Sequence, residues 1–270
     1  MIIVAGGDSF VFGSELSDYV HNVTSSKKTF TALLAKNAQY ECVAWPGYAN
    51  DSIARNIINE CSKHDKCGAI VSWTFPGRYE FRFNFNTGNL KSPWYALNSW
   101  ILNTPESLFS NFNIDDEKIQ KDLKTTHSKA SSNGITEFAE TFYKCVGSSE
   151  YWEVYSSLKE IVYLQNYLKA RKIPYLFTCA DNNIYFNSTV DNADISIKSL
   201  LDQIDMNHWF WFPAGTHSYE TTTPRGFYQW AVENKYPMGT LHPLEEAHAA
   251  AAKIIKEKFN ELVTKPLEQN

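Results

Sequence analysis

Ser9 is the first residue in this chain placed to do chemistry. It follows Gly6-Gly7-Asp8, directly after the apolar run Ile2-Ile3-Val4-Ala5. A short β-branched run of this kind reads as a buried strand, and the glycines end it tightly. In an open α/β sheet, ligands bind at the carboxyl ends of the strands. A hydroxyl at that edge is a candidate nucleophile, and each later segment can be asked what it supplies beside it. Asp8 is expected to bond the backbone of its own turn, and Asp8 and Arg78 are candidates to touch a substrate. Gly47 sits in the turn Pro46-Gly47-Tyr48-Ala49-Asn50, which also carries Asn50. Thr74 and Arg78 follow a third apolar run. His242 lies in Gly239-Thr240-Leu241-His242-Pro243, just before the last helical stretch.

The elements that must position these residues alternate in type. Residues 29–36 have helical spacing, with a cap among Ser25, Ser26 and Thr29. Residues 40–45 read as a second strand. A helix capped by Asp51 or Ser52 then carries Ile53, Ile57 and Ile58 on one face, and 69–74 is a third strand. This βαβαβ order predicts a parallel sheet with right-handed crossovers. From 75 to 149 the alternation stops. Residues 78–86 alternate aromatic and polar side chains and lead into a turn signal at 86–89, which predicts a hairpin. Residues 94–109 suit a short helix, and 115–132 have no clear apolar stripe. This stretch reads as an irregular insertion over the strand ends, a lid or a partner surface.

Regularity returns with a long helix over 152–172, a fourth strand over 174–180 and a last helix over 244–263. Shorter helices are expected within 194–205 and 227–233. The whole, 1–270, predicts one domain. Its expected fold is a three-layer α/β/α sandwich with a flavodoxin-like, mostly parallel sheet.

Composition narrows the function classes. At 270 residues, 43% hydrophobic and 20% charged, the chain can bury a large core. A net charge of −5 with no basic run gives no nucleic-acid footprint. No apolar run approaches a membrane span. The N-terminus has no charged leader before its first strand, so the expected location is cytoplasmic or within a larger assembly. Five scattered cysteines and seven scattered histidines make no zinc pattern, so no metal is expected. Aromatic residues at 15% suit a core and also a sugar-facing surface. The cluster Trp209 to Phe212 is expected in the core, and His248 is expected to be structural.

Gly7-Asp8-Ser9 after strand one, Pro46-Gly47 after strand two and His242-Pro243 before the last helix resemble the SGNH (GDSL-type) hydrolase superfamily. The phrase from Ala44 to Arg55 is similar to that family's second block. The resemblance spans most of the chain on a few residues. It implies a serine ester hydrolase needing no cofactor. Ser9 would be the nucleophile and, through its N–H, one oxyanion donor. Gly47 would give a second N–H, and His242 would be the general base and acid. The substrate implied is an O-acyl ester, such as an O-acetyl group, on a small molecule or a glycan.

Two positions depart from the pattern. The family's Asp three residues before the His is Gly239 here, leaving Asp51, Asp181, Glu245 and Glu246 as alternative carboxylates. The family's Gly-x-Asn after strand three is replaced by Trp73-Thr74-Phe75-Pro76-Gly77-Arg78, leaving Thr74, Arg78 and Asn50 as side-chain oxyanion donors. The departures keep a second reading open: a catalytically inactive binding or structural module on the same fold. A nucleotide binder is disfavoured, because the loop after strand one lacks Gly-x-Gly-x-x-Gly and Gly-Lys-Ser/Thr.

Overall fold

The computed structural model describes residues 1–20, 23–83, 94–115, 117–215 and 222–269. Four strands form the central sheet: β1 (Ile2–Gly6), β2 (Gln39–Cys42), β3 (Cys67–Trp73) and β6 (Tyr175–Cys179). Their order is β2-β1-β3-β6, and all neighbours are parallel. The chain leaves β1 toward one edge and returns on its other side. The crevice between the carboxyl ends of β1 and β3 is therefore the topological switch point.

Strand side chains alternate between two cores, as a sheet covered on both faces requires. Ile3, Ala5, Ile70 and Leu176 face one helical layer, with Ala247, Ala251 and Ile255 of α11 (Glu245–Phe259). Val4, Val71 and Phe177 face the other, with Ile53 and Ile57 of α3 (Asn50–Cys61) and Leu158, Ile161 and Leu164 of α7 (Glu150–Ala170). The fold is a three-layer α/β/α sandwich. Smaller helices complete the layers: α1 (Ser9–Phe12), α2 (Phe30–Leu34), α8 (Ser188–Asp191), α9 (Ile195–Leu201), α10 (Phe227–Glu233) and α12 (Lys265–Gln269). Among the described residues no helix is long and apolar enough to cross a membrane.

Thr29 caps α2 through its hydroxyl, 3.3 Å from Ala32 N. At α3 neither Asp51 nor Ser52 is the cap. Ala49 is, and Asp51 lies in the first turn. β2 is shorter than its apolar run. After Val43 N donates to Ala5 O at 2.9 Å, the chain leaves the sheet for the turn at Pro46, which has no N–H to donate. Trp209 and Phe212 are buried, and Phe210 N donates to Phe177 O at 2.8 Å. The aromatic cluster thus runs beside β6 as core.

Between β3 and α7 the chain builds β4 (Tyr79–Arg82), β5 (Trp94–Leu97), α4 (Pro105–Phe112), α5 (Glu117–Ser132) and α6 (Ile135–Phe142). These pack on their own cluster of Tyr79, Leu97, Ala130, Ile135, Ala139 and Tyr143. Within the alternation expected at 78–86, Tyr79–Arg82 is a strand, while residues 84–86 and the turn signal at 86–89 lie outside the described residues. Residues 94–97 are not helical. They pair antiparallel with β4, Leu97 opposite Tyr79, and Trp94 carries the Arg55 guanidinium 4.6 Å from its ring centroid. Cross-strand packing overrides local helix preference there. Residues 117–132 are helical although the sequence shows no stripe. Ile119, Gln120, Asp122, Leu123 and His127 are part-buried along this helix, and Ala130 is buried.

Candidate active site

Ser9 opens α1 directly after β1. Asp8 caps this single turn, its Oδ1 accepting from Phe10 N at 3.0 Å. As the first helical residue, Ser9 has no intrahelical acceptor for its own N–H. Gly13 ends the turn in the left-handed conformation, and Gly13 N and Ser14 N both donate to Ser9 O, at 2.9 and 3.0 Å. Glu15 is also left-handed, at φ 69°. For a residue with a Cβ that conformation costs about 1–2 kcal/mol.

His242 comes from a closed loop at the foot of α11. Gly239 N donates to His242 O at 2.8 Å, and Leu244 N to Pro237 O at 2.9 Å. The Phe10 ring meets the imidazole edge to face, with centroids 5.1 Å apart. These contacts bring together two residues 233 positions apart: His242 Nε2 stands 2.8 Å from Ser9 Oγ. Ser9 is only 8% exposed.

The other ring nitrogen meets a carboxylate that the sequence did not single out. His242 Nδ1 lies 3.3 Å from Glu15 Oε2. The contact is an ion pair rather than a full hydrogen bond, and Nδ1 has no hydrogen-bond partner among the described residues. The same Oε2 accepts from Leu241 N and His242 N, each at 3.1 Å. Burial pushes the Glu15 carboxyl up. His242 beside it and the two backbone donors outweigh this, and the group sits below the ordinary carboxylate range. With Nδ1 facing the carboxylate, the favoured tautomer leaves Nε2 free to accept the serine proton. At Gly239, three residues before His242, a side chain would press on the Glu15 carboxylate. A Cβ there would stand 2.2 Å from Glu15 Oε2.

The four carboxylates left open by the sequence are elsewhere. Asp51 accepts from Ser52 N at 2.9 Å and Glu80 N at 2.7 Å, and burial pushes it up to about 7. Asp181 accepts from Asn183 N at 2.8 Å. Glu245 ties down Ser17 N at 2.9 Å, and these bonds to Ser17 hold it at about 2. Glu246 is exposed on α11. Only two signals pointed to Glu15: it follows Ser9 within two turns of chain, and Gly239 lacks the expected carboxylate.

Gly47 is the third residue of a tight turn closed by Tyr48 N donating to Trp45 O at 3.1 Å. Its φ of 82° is the value that position requires when proline comes second. Its N–H has no protein acceptor among the described residues. Asn98 of the insertion reaches this turn, its Nδ2 lying 3.9 Å from where a Gly47 Cβ would stand.

Thr74 and Arg78 form a cluster with Asp8. Asp8 Oδ2 accepts from Thr74 Oγ1 at 2.5 Å and from Arg78 Nη1 at 3.0 Å. Arg78 Nη1 also donates to Thr74 Oγ1 at 2.9 Å and to Tyr48 O at 3.4 Å. The guanidinium therefore joins the loops after β1, β2 and β3. Its Nε and Nη2 have no protein acceptor among the described residues. The Thr74 hydroxyl, in contrast, is committed to Asp8. Asn50 is buried, and its Nδ2 donates to Thr74 O at 3.3 Å and Ser157 Oγ at 3.0 Å. Its Oδ1 accepts from Thr74 N at 2.9 Å. Asn50 thus fastens α3 to the end of β3 and has no hydrogen left for a ligand. His248 is buried against Phe30 and Phe227 and accepts from Phe30 N at 3.2 Å.

The arrangement can do acyl transfer: a hydroxyl bonded to an imidazole, a carboxylate behind the ring, and unspent N–H donors on neighbouring loops.

No family model matches the chain. No curated protein matches it either. Among solved structures, the psychrotrophic esterase EstA from a Pseudoalteromonas species, inhibited by monoethylphosphonate, is similar over 99% of this chain and 98% of its own. Identity is 9% and the TM-score 0.44. A likeness that distant says nothing about activity.

Proposed function

We propose that this chain is a serine ester hydrolase of the SGNH type. The observation that carries the proposal is the 2.8 Å approach of Ser9 Oγ to His242 Nε2 across the switch-point crevice. Ser9 Oγ attacks the ester carbonyl while Nε2 takes its proton. The carbonyl oxygen becomes an oxyanion, received by the N–H groups of Ser9 and Gly47. The free N–H groups of Arg78 are the side-chain donors in place of the family's asparagine. The alcohol leaves with the proton from His242, and water then releases the acid from Ser9 by the same steps in reverse.

The low exposure of Ser9 favours a short acyl group, acetyl being the simplest, on a small molecule or a glycan. The insertion bounds the acceptor side through Asn98. The inactive-module reading had two motives, a missing carboxylate and a missing donor. Glu15, 3.3 Å from His242 Nδ1, and Arg78, bonded to Asp8 next to Ser9, answer those motives and support the catalytic reading.

The test is hydrolysis of p-nitrophenyl acetate by the wild type and Ser9→Ala. Turnover with a burst equal to one nitrophenol per chain, absent in Ser9→Ala, is the expected result. Equal turnover by both proteins would remove Ser9 from the chemistry.

A further inference from the structure

We infer that Glu15 is the positioning residue of His242 and that Gly239 is kept bare to admit it, so the carboxylate can be moved between positions 15 and 239. The inference rests on the serine-hydrolase reading and adds to it where the acid comes from. Four observations carry it. Glu15 Oε2 lies 3.3 Å from His242 Nδ1, which has no hydrogen-bond partner among the described residues. The Leu241 and His242 N–H groups fix that oxygen against the loop that carries the ring. Glu15 is held left-handed, a conformation that persists where the surroundings impose it. Gly239 does not have a left-handed φ, so its own backbone does not demand glycine. What excludes a side chain there is the Glu15 carboxylate, with Oε2 2.2 Å and Cδ 3.0 Å from a Cβ at 239. A short carboxylate built from 239 would enter the same space once Glu15 is gone.

In the reaction Glu15 gains no proton. When the Ser9 proton moves to Nε2 the ring becomes a cation, and the carboxylate behind Nδ1 stabilises it and holds its orientation until the proton passes to the leaving alcohol.

Four variants test this: Glu15→Gln, Glu15→Gly, Gly239→Asp and the double Glu15→Gly/Gly239→Asp. Their rates of fluorophosphonate adduct formation on Ser9 are followed by intact mass, with circular dichroism confirming that each is folded. The amide of Glu15→Gln still accepts from both backbone N–H groups, and glycine suits the left-handed φ. Glu15→Gln should label about 10²–10⁴-fold more slowly, as loss of the orienting carboxylate does in the serine-protease template. Its kcat on p-nitrophenyl acetate should fall while KM stays within about twofold. Gly239→Asp alone should also be slow, because its carboxylate is forced onto that of Glu15. The double variant should label at least about tenfold faster than Glu15→Gly, since the pair is coupled. Wild-type labelling by Glu15→Gln, or a double variant no faster than Glu15→Gly, overturns the assignment. A wild type that does not label overturns the hydrolase reading itself, a distinct outcome.

Discussion

His242 and His248 flank the start of the same helix, and the chain uses one ring type in two opposite ways. His242 sits in a loop before α11, with a hydroxyl at Nε2 and a carboxylate at Nδ1. His248 sits inside α11 under aromatic rings, and its Nδ1 is spent on Phe30 N. Burial pushes its basicity down to about 3, so it is neutral at ordinary pH. A catalytic base must be able to take a proton and give it back near the working pH. Of these two rings, the one with a hydroxyl at Nε2 and a carboxylate at Nδ1 has the geometry for that task. The difference lies in what tertiary neighbours place around the ring, not in the helix that carries it.

The largest separation between the two histidines should come from alanine substitution. His242→Ala is expected to slow fluorophosphonate labelling of Ser9 by about 10³-fold or more, as removing the base of a triad does. Its melting temperature should move little. His248→Ala should label within about twofold of wild type yet melt lower, because a buried acceptor and ring are lost, at about 1–3 kcal/mol for the orphaned Phe30 N–H alone. Reversal of the two outcomes would show the roles assigned to the wrong rings.

A second measurement sharpens the contrast between crevice and core on the oxyanion side. Arg78→Met should reduce kcat on p-nitrophenyl acetate by about 10²-fold, the scale of one lost oxyanion donor. Asn50→Ala should instead lower stability, since the clamp between α3 and β3 is lost. Unchanged kcat in Arg78→Met would remove the guanidinium from the reaction. Gly47→Ala comes next. Its Cβ would meet only Asn98 Nδ2, at an ordinary contact distance of 3.9 Å, so the expected penalty is the left-handed backbone, about 1–2 kcal/mol of stability by urea melts.

A last contrast concerns pH, and its sign separates two buried groups. His248 has its basicity lowered in the fold to about 3, against an ordinary value of about 6.5. Between those values the unfolded chain holds a proton the folded chain does not, so stability falls as pH drops from about 6.5. Asp51 is raised to about 7 by burial, against about 3.9. There the folded chain holds the extra proton, and stability falls as pH rises from about 4 to 7. Relative to wild type, His248→Phe should gain about 2 kcal/mol on moving from pH 7 to 5, and Asp51→Asn should lose about as much. Urea melts of both variants at the two pH values read this directly.

The parallel sheet was legible in the sequence because β1, β3 and β6 lie in mostly apolar runs that alternate with helical stretches, although β2, Gln39–Cys42, is polar at its start. The Ser9, Gly47 and His242 loops follow from that order. Glu15 was not legible. Its approach depends on two left-handed residues, Gly13 and Glu15, and on a loop 226 positions away that donates Leu241 N to it. No local periodicity encodes such a contact. The Asp8–Thr74–Arg78 cluster was half legible: the residue types stood at strand ends, but which donors remained free needed coordinates. In the insertion, β5 was hidden because Trp94–Leu97 owes its extended form to pairing with β4.

The most direct test of an activated Ser9 is reaction with a fluorophosphonate probe, read by intact mass and peptide mapping. A single adduct on Ser9, absent in Ser9→Ala and slowed in His242→Ala, is the predicted result. Folded protein that takes up no probe, or takes it up at another residue, would contradict a serine nucleophile at the end of β1.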